Sequence, residues 1–402
     1  MSKGSMVCII LCLQIMITAG CWDSMELNDR ALWLATGWDI GEKEDEIQIC
    51  GQIAIPSNMQ SQSGGGGGGG KGESFVAVSA KGKNVQEALE NQQGMLSREA
   101  YFGHRRVTFY GEEFAKRGLK QEIDINSRSP NVGIRTDVFV VKGDTALNAL
   151  NQSNPFENPP AVAALKAHRQ AGGRGDKVYL DLLMAANSEG IRPTIPVVEI
   201  EPIQKGNKEA KGEAKKTILK LTGLAVFGPD LKLAGFLNMN ENRDYLWVTG
   251  NLQKKTITIS LGGQSNASLA LTKIKGKIIP KMEGNQITFT VKLSGEGGIT
   301  ENNNNLNINM TRNVRTLEKS MEKQTKEQVL ATINKVQKEF GLDIFGFGES
   351  VHKKYPHKWK KVKKDWDRYF AEANISVNVD LKIRQIGMTG PSMLYKESEI
   401  KE

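Results

Sequence analysis

Cys21 is the residue whose type and position most clearly predict chemistry. It follows Thr18, Ala19 and Gly20, three small residues that close the only long apolar run of the chain. Small residues can lie extended in a peptidase groove, and a thiol directly after them can accept a diacylglycerol. The pattern therefore predicts cleavage between Gly20 and Cys21, with Cys21 as a lipid-modified N-terminus. Thr18 is a departure, because Leu is usual at this position of a lipoprotein signal.

The residues before this cysteine have the three regions of a secretory signal. Lys3 is followed by an apolar run at residues 6–17 that only Gln14 interrupts. The run has 12 residues, fewer than the roughly 20 that a membrane-spanning helix needs. We therefore predict that residues 1–20 are a signal peptide that is removed. Two alternatives stay open, namely an ordinary signal cleaved after Ala19 and an uncleaved anchor helix.

The other cysteines predict no covalent chemistry. Cys8 and Cys12 lie in the segment predicted to be removed, and acylation would occupy Cys21. Cys50 would then be the single free thiol of the mature chain, which excludes an internal disulfide. It lies in a strand-like stretch at residues 46–55, and we interpret it as a small buried apolar residue rather than a reactive thiol.

The sequence lacks the patterns typical of catalysis or metal binding. Its histidines have no metal-ligating spacing, and it has no Gly-x-Ser-x-Gly nucleophile elbow. The seven glycines at 64–70 precede Lys71 and Gly72, whereas a phosphate-binding loop has Ser or Thr after its lysine. We therefore expect a protein that is not an enzyme and that holds no cofactor and no metal. The four histidines are His104, His168, His352 and His357.

The chain is basic, with a net charge of +9 and a concentration of lysines between residues 353 and 368. Tyr355, Trp359 and Trp366 are interleaved with these lysines. In one interpretation an amphipathic helix packs its aromatic side on a sheet and solvates its lysines. In the other, the lysines face anionic lipid or an acidic partner surface; nucleic acid is not expected, because an exported protein would rarely meet any. The residues of this candidate patch are Lys358, Lys360, Lys361, Lys363 and Lys364.

A second basic group lies beside a predicted strand at residues 106–110. It consists of His104, Arg105 and Arg106. We interpret the two arginines as salt-bridged surface residues. An anion-binding site is the alternative.

The order of strand-like and helix-like segments predicts an α+β (mixed α/β) fold. Residues 311–340 have helical spacing and predict a long amphipathic helix, a second helix is predicted at 355–370, and residues 374–386 alternate as a last strand. We expect an elongated lipoprotein of three domains. Its predicted parts are the signal peptide (1–20), an N-terminal α/β domain (21–200) with a flexible glycine-rich loop (57–72), a charged linker (201–216), a strand-rich middle domain (217–300), a C-terminal α/β domain with the long helix (301–392) and a polar tail (393–402).

Several unusual strings occur in an order that resembles a known protein family. The sequence resembles the C subunits of the spore germinant receptors, the Ger(x)C lipoproteins, over nearly the whole mature chain. The glycine run at 64–70 departs from the family pattern and affects only the local loop. The strings are Gly20–Asp23, Glu26–Arg30, Arg98–Arg105, Gly223–Phe227, Leu233–Leu237, Asp343–Gly348, His352–Pro356 and Trp359.

The resemblance implies a non-catalytic receptor subunit with three α/β-type domains. Such lipoproteins sit on the outer face of the inner spore membrane, beside an integral membrane A subunit and a transporter-like B subunit, in a complex that responds to nutrients. The alternative from another class is a ligand-binding lipoprotein, similar to the solute-binding components of transporters. Against this alternative, the chain lacks two obvious repeated α/β lobes.

Overall fold

A computed structural model describes residue 4 and residues 29–400, with gaps at 44, 56–73, 129–132, 153–158, 172–178, 204–216, 263–264, 285, 387–391 and 393. The cleavage residues Gly20 and Cys21 lie outside the described residues. The same holds for the signal segment apart from Gly4, for the glycine-rich loop at 57–72 and for residues 204–216 of the charged linker.

The first half of the chain forms a nine-stranded mixed sheet with the order β3-β2-β1-β5-β6-β7-β8-β9, in which β4 also pairs with β1. The central strands β1, β5, β6 and β7 run parallel, and β4 also pairs with β1 in parallel, whereas β2, β3, β8 and β9 extend the sheet through antiparallel pairs. All residues of β5 and β6 are buried, as expected for parallel strands that are covered on both faces. The strands are β1 (Arg30–Ile40), β2 (Ile47–Ala54), β3 (Phe75–Gly82), β4 (Glu99–Tyr101), β5 (Val107–Gly111), β6 (Asp137–Val141), β7 (Thr194–Pro202), β8 (Thr217–Phe227) and β9 (Leu233–Asn238).

Helices cover both faces of this sheet. Tyr110 and Val138 belong to an apolar cluster on one face, together with residues of α1, α2 and α6. Phe109 and Phe139 belong to the cluster on the opposite face, with residues of α4 and α5. The helices are α1 (Val85–Gln93), α2 (Glu112–Arg117), α3 (Lys120–Arg128), α4 (Ala146–Leu150), α5 (Pro160–Gln170) and α6 (Tyr179–Ala186).

The second half of the chain forms a four-stranded sheet with the order β10-β11-β12-β13. Its strands are β10 (Lys255–Gly262), β11 (Ser265–Glu283), β12 (Gln286–Asn302) and β13 (Asn374–Gln385). The helix α7 (Met239–Val248) precedes β10 and shares an apolar cluster with β8, β9 and the second sheet. The two sheets therefore have a continuous apolar core between them.

The long helix predicted from the sequence is confirmed as α8 (Thr311–Lys335), which a π-helical turn at Val336–Phe340 extends. Every fourth residue from Leu317 to Ile333 is buried, so one narrow stripe faces the core. Glu318 and Glu322 on the neighbouring stripe accept the backbone N–H groups of Ile383 and Leu381 at 2.9 Å. These bonds cover the open edge of β13, where unpaired backbone groups would otherwise invite pairing with another chain.

The predicted middle segment, 217–300, does not form a sheet of its own among the described residues. Its first strands, β8 and β9, complete the first sheet because β8 pairs with β7 from Thr194 to Pro202. Its later strands join β13, which follows α8 and runs parallel to β12. The α+β class is confirmed, whereas the domain boundaries stay a prediction.

The helix predicted at 355–370 is divided in the structure. A 3-10 turn at Lys363–Asp365 separates α10 (Pro356–Val362) from α11 (Trp366–Glu372), and Asp365 has left the helical region with φ −111° and ψ 26°. The buried side still includes Trp359 and Trp366, whose ring centroids lie 5.1 Å apart. A further helix, α9 (Phe347–Lys354), begins inside the glycine-punctuated string at 343–348.

Candidate functional site

Asp343 organises the turn that precedes α9. Its carboxylate is fully buried and accepts three backbone N–H groups, those of Phe345 at 3.0 Å, Gly346 at 2.9 Å and Gly348 at 2.7 Å. The indole N–H of Trp366 donates a fourth bond at 3.0 Å. The turn also needs Gly346 in the left-handed region, with φ 82°, which a residue with a side chain rarely adopts.

The environment of Asp343 has two opposing electrostatic effects. Burial raises the pKa of the Asp343 carboxyl to about 6, while the bonds from Gly348 and Trp366 lower it. A buried carboxylate is costly unless it is hydrogen-bonded, and here four donors converge on two oxygens. The turn and the carboxylate are therefore mutually dependent.

A segment between α6 and β7 connects the first sheet to this turn. The backbone N–H of Arg192 donates to the carbonyl oxygen of Asp343 at 2.7 Å. Its guanidinium forms a two-pronged pair with Asp367, with Nε 3.1 Å from Oδ1 and Nη2 2.8 Å from Oδ2. A Cβ on Gly348 would lie 2.7 Å from the Cα of Gly190, so the two backbones are in direct contact. We call this set of contacts the junction.

Two of the strings that carry the family resemblance lie on paired strands of the first sheet. Gly223–Phe227 lies in β8 and pairs with β9, which holds Leu233–Leu237. A Cβ on Gly223 would lie 1.9 Å from the carbonyl oxygen of Leu237, and one on Gly235 would lie 2.7 Å from the Phe340 ring. These glycines permit close packing, so the strings have a structural role in the fold.

A cleft of about 690 Å³ opens beside the junction, between α6, α7, α9 and β11. Its wall carries acidic groups of Asp181 and Glu349 and basic groups of Lys277 and Lys353. Met184, an exposed apolar side chain, also lines it. The cleft presents charges of both signs, which suits a small zwitterionic or polar solute.

In the structure the predicted lysine patch lies on α10 and the 3-10 turn that follows it, and its five lysines have different surroundings. Lys358 donates through Nζ to the carbonyl oxygen of Met282 at 3.3 Å, and Lys363 pairs with Glu189 at 2.8 Å. The other three lysines of the patch are exposed and form no ion pair within the described part of the chain. They are Lys360, Lys361 and Lys364. The buried rings of Trp359 and Trp366 form the packed side of this region.

The second basic group has a different setting from the one predicted. Arg105 is buried, so its interpretation as a salt-bridged surface residue is wrong. Its positive charge lowers the pKa of the fully buried Glu122, although burial is the larger effect and raises that pKa to about 7. Asn126 donates to Oε1 of Glu122, and the Tyr179 hydroxyl lies 3.4 Å from Oε2. The arginine therefore acts within a buried polar cluster with residues of α3 and α6.

His168, His352 and Cys50 have packing partners that account for their positions. His168 is buried against the Phe139 ring, and His352 stacks on Trp359. Within the described ranges no group of three or more His, Cys, Asp and Glu residues could hold a metal ion. Cys50 is buried, and burial raises the pKa of its thiol, which lies 3.7 Å from the buried carboxylate of Asp39.

Sequence reasoning missed the junction residues Asp343, Arg192 and Asp367. Asp343 is the single charged residue in Leu342–Gly348, a string of apolar and glycine residues, and an aspartate followed by glycines is a signal for side-chain bonds to nearby backbone N–H groups. Arg192 and Asp367 are 175 positions apart, and no local pattern announces their pairing.

Comparison with known proteins identifies the class. Residues 23–200 match the family described as "Spore germination protein N-terminal domain", and residues 222–387 match "Spore germination B3/ GerAC like, C-terminal". The chain belongs to the Ger(x)C family of spore germination proteins. The fold resembles that of the structure titled "Crystal Structure of the GerBC protein", with a TM-score of 0.53 and 18% identity over 90% of this chain and all of that one.

Three relatives from Bacillus subtilis (strain 168) extend along almost the full chain. "Spore germination protein KC" is 28% identical and covers 96% of this chain and 97% of its own length. "Putative spore germination protein YfkR" is 25% identical, with coverages of 98% and 99%. "Spore germination protein B3" is 24% identical, with coverages of 95% and 98%. None of the helices in the described ranges has the length and apolar character to cross a membrane.

The first prediction concerns the backbone contact in the junction. Gly348→Ala would place a methyl group 2.7 Å from the backbone of Gly190, so we expect the free energy of unfolding to fall by about 1–3 kcal/mol, as for other overpacked sites. Urea denaturation measures the change. Gly94→Ala is the control, because the nearest atom there is 3.5 Å away. Equal stability of the two variants would contradict the packing argument.

The second prediction concerns the raised pKa of Glu122. The folded protein binds this proton more tightly than the unfolded chain, whose glutamate has a pKa of about 4.3. The stabilisation that comes from this proton is therefore complete below about pH 4.3. It is lost as the pH rises to about 7. Because Gln stays neutral, the stability of Glu122→Gln relative to the unaltered protein should rise across this window, by up to about 3 kcal/mol.

Urea denaturation at several pH values tests this expectation. Glu113→Gln, at an exposed position on α2, is the matched control and should follow the unaltered protein at every pH. If the difference between Glu122→Gln and the unaltered protein does not change between pH 4 and pH 7, Glu122 does not have the raised pKa.

Proposed function

We propose that this chain is a lipid-anchored, non-catalytic subunit of a nutrient germinant receptor. Membership of the Ger(x)C family carries the proposal, since both family models match and the relatives named as spore germination proteins extend along nearly the whole chain. The cysteine after Thr18–Gly20 supports the lipid anchor. The subunit would lie on the outer face of the inner spore membrane and would be needed for assembly or function of the receptor complex.

The resemblance supplies the proposed partners. They are an integral membrane A subunit and a transporter-like B subunit, while membrane lipid is reached through Cys21. A diacylglyceryl group carries two acyl chains, which is enough for stable anchoring of a protein body. The anchor would therefore keep the two sheets close to the membrane that holds the partners.

The use of two buried acids, Asp343 and Asp39, supports a non-catalytic role. Asp343 accepts four hydrogen bonds from its own turn and from Trp366. Asp39 accepts the backbone N–H groups of Ala146 and Leu147 at 2.8 and 2.9 Å. A catalytic carboxylate has to reach a substrate, whereas these two groups are committed to backbone and indole donors.

A solute-binding lipoprotein is the second candidate function, and the cleft beside the junction is the observation that favours it. Calorimetry of the protein with amino acids, sugars and calcium dipicolinate separates the two functions. Micromolar binding of such a solute, lost in Lys353→Gln and Glu349→Gln, would favour solute binding. Co-purification with an A-type subunit in the absence of solute binding would favour the receptor subunit.

The third prediction concerns the anchor. Cys21→Ala should abolish lipid modification and release the protein from spore membranes, because no other thiol follows the cleavage site directly. Mass spectrometry of the mature N-terminus should show a diacylglyceryl Cys21 in the unaltered protein. Cys12→Ala, a change inside the segment that is removed, is the control and should keep the lipid. A free Cys21 thiol, an intact Met1, or full germination activity of Cys21→Ala would contradict the proposal.

A further inference from the structure

The positive charge of the chain is concentrated in two short segments. Residues 273–292 contain five lysines and one glutamate, which is a net charge of +4. Residues 347–368 contain seven lysines and one arginine against three acids, which is +5. Together they equal the +9 of the whole chain, so the remaining residues are neutral in sum.

The fold brings these two segments together along β11. Pairing between β10 and β11 ends at Leu271, and the strand continues beyond it with one edge facing α9 and α10. Lys354 donates to the carbonyl oxygen of Pro280 at 3.0 Å, and Lys358 donates to that of Met282. Both lysine nitrogens also lie over the Tyr355 ring, at 5.2 and 5.5 Å from its centroid. Two segments that are far apart in sequence thus form one basic edge.

Lysines alternate along the outer face of β11 beside this edge. Residues two apart on a strand are roughly 7 Å apart and point to the same face, and Lys273, Lys275, Lys277 and Lys281 are all exposed. Lys277 lines the same cleft as Lys353, so the outer face and the α9 lysines adjoin.

Lys273 and Lys281 pair with Glu296 and Glu283, whereas Lys277 and Lys292 are not compensated in this way. They are direct partners in the antiparallel register of β11 and β12, and neither has an ion pair with any described residue. Like charges directly opposite each other destabilise a sheet. The repulsion between these two exposed lysines lowers the stability of the fold. An anionic partner bound at this position would offset that repulsion.

We propose that this surface binds the anionic headgroups of phospholipids and forms a second contact with the membrane. It is defined by Lys275, Lys277, Lys281, Lys292, Lys353, Lys354 and Lys358. The proposal rests on the proposed function, because a lipid-anchored chain lies next to phospholipid headgroups. It adds which face of the protein contacts those headgroups. Lysines are point charges on flexible stems, which suits a fluid array of phosphates, whereas a defined carboxylate partner is better matched by the fork of arginine.

Binding to vesicles tests the proposal separately from the lipid anchor. The protein is prepared from residue 22 onward, which retains every helix and strand described from Arg30 and lacks both the signal and Cys21. We expect binding to phosphatidylcholine vesicles that contain phosphatidylglycerol, little binding to phosphatidylcholine alone, and loss of binding as salt shortens the screening length. The variant Lys275→Gln/Lys277→Gln/Lys292→Gln should bind roughly fivefold more weakly for each lysine removed.

A matched control separates surface position from net charge. Lys319→Gln/Lys323→Gln/Lys326→Gln removes the same charge from exposed positions on α8 and should bind nearly as well as the unaltered protein. Equal loss in both variants would show that net charge alone drives binding and would overturn the proposal. It would also be overturned if Lys360→Gln/Lys361→Gln/Lys364→Gln alone abolished binding, or if the unaltered protein ignored phosphatidylglycerol at low salt. In none of these cases would the result on Cys21 be affected.

Discussion

The buried carboxylate of Asp343 is the constraint on which both halves of the molecule depend. Removing an ion from water costs several kcal/mol, and three backbone N–H groups and one indole N–H offset that cost. Each donor would in turn be buried without a partner if the carboxylate were absent, at about 1–3 kcal/mol per group. Neither the turn at 343–348 nor the packing of Trp366 is therefore independent of this side chain.

The position of the turn determines both surfaces to which a function is assigned. At the start of the turn, the carbonyl oxygen of Asp343 accepts the backbone N–H of Arg192. This bond fixes the segment between α6 and β7, which forms one wall of the cleft. The other end of the turn starts α9 at Phe347, and α9 carries Lys353 and Lys354 to the edge of β11. The cleft and the basic edge thus share one structural origin, although they would serve different ligands.

Local sequence patterns predicted much of the fold because they report which side of an element is apolar. The helical spacing of apolar residues between positions 311 and 340 predicted α8, and alternation predicted β13. Those patterns do not report which element meets that side. For this reason the pairing of β8 with β7, and of β12 with β13, was not foreseen, and the strands predicted as a middle domain are divided between two sheets.

The candidate site shows the same limit at the level of single side chains. The lysine patch was predicted from composition, yet Lys358 bonds a carbonyl oxygen of β11 and Lys363 bonds Glu189. Lys275 and Lys277, which were not singled out, became candidates only once the structure placed their strand beside α9. Arg105 was assigned to the surface because arginine is usually exposed, and its burial beside Glu122 depends on a helix more than a dozen residues away in the chain.

Hydrogen–deuterium exchange of the protein and of Asp343→Asn tests the central role of this carboxylate most directly. In the unaltered protein the amides of Phe345, Gly346 and Gly348 should exchange slowly. In Asp343→Asn they should exchange faster, and the segment 188–192 should lose protection with them, while the centre of α8 keeps its own. If 188–192 and the turn exchange at the same rates in both proteins, other contacts hold the two halves together and the central role of Asp343 is contradicted.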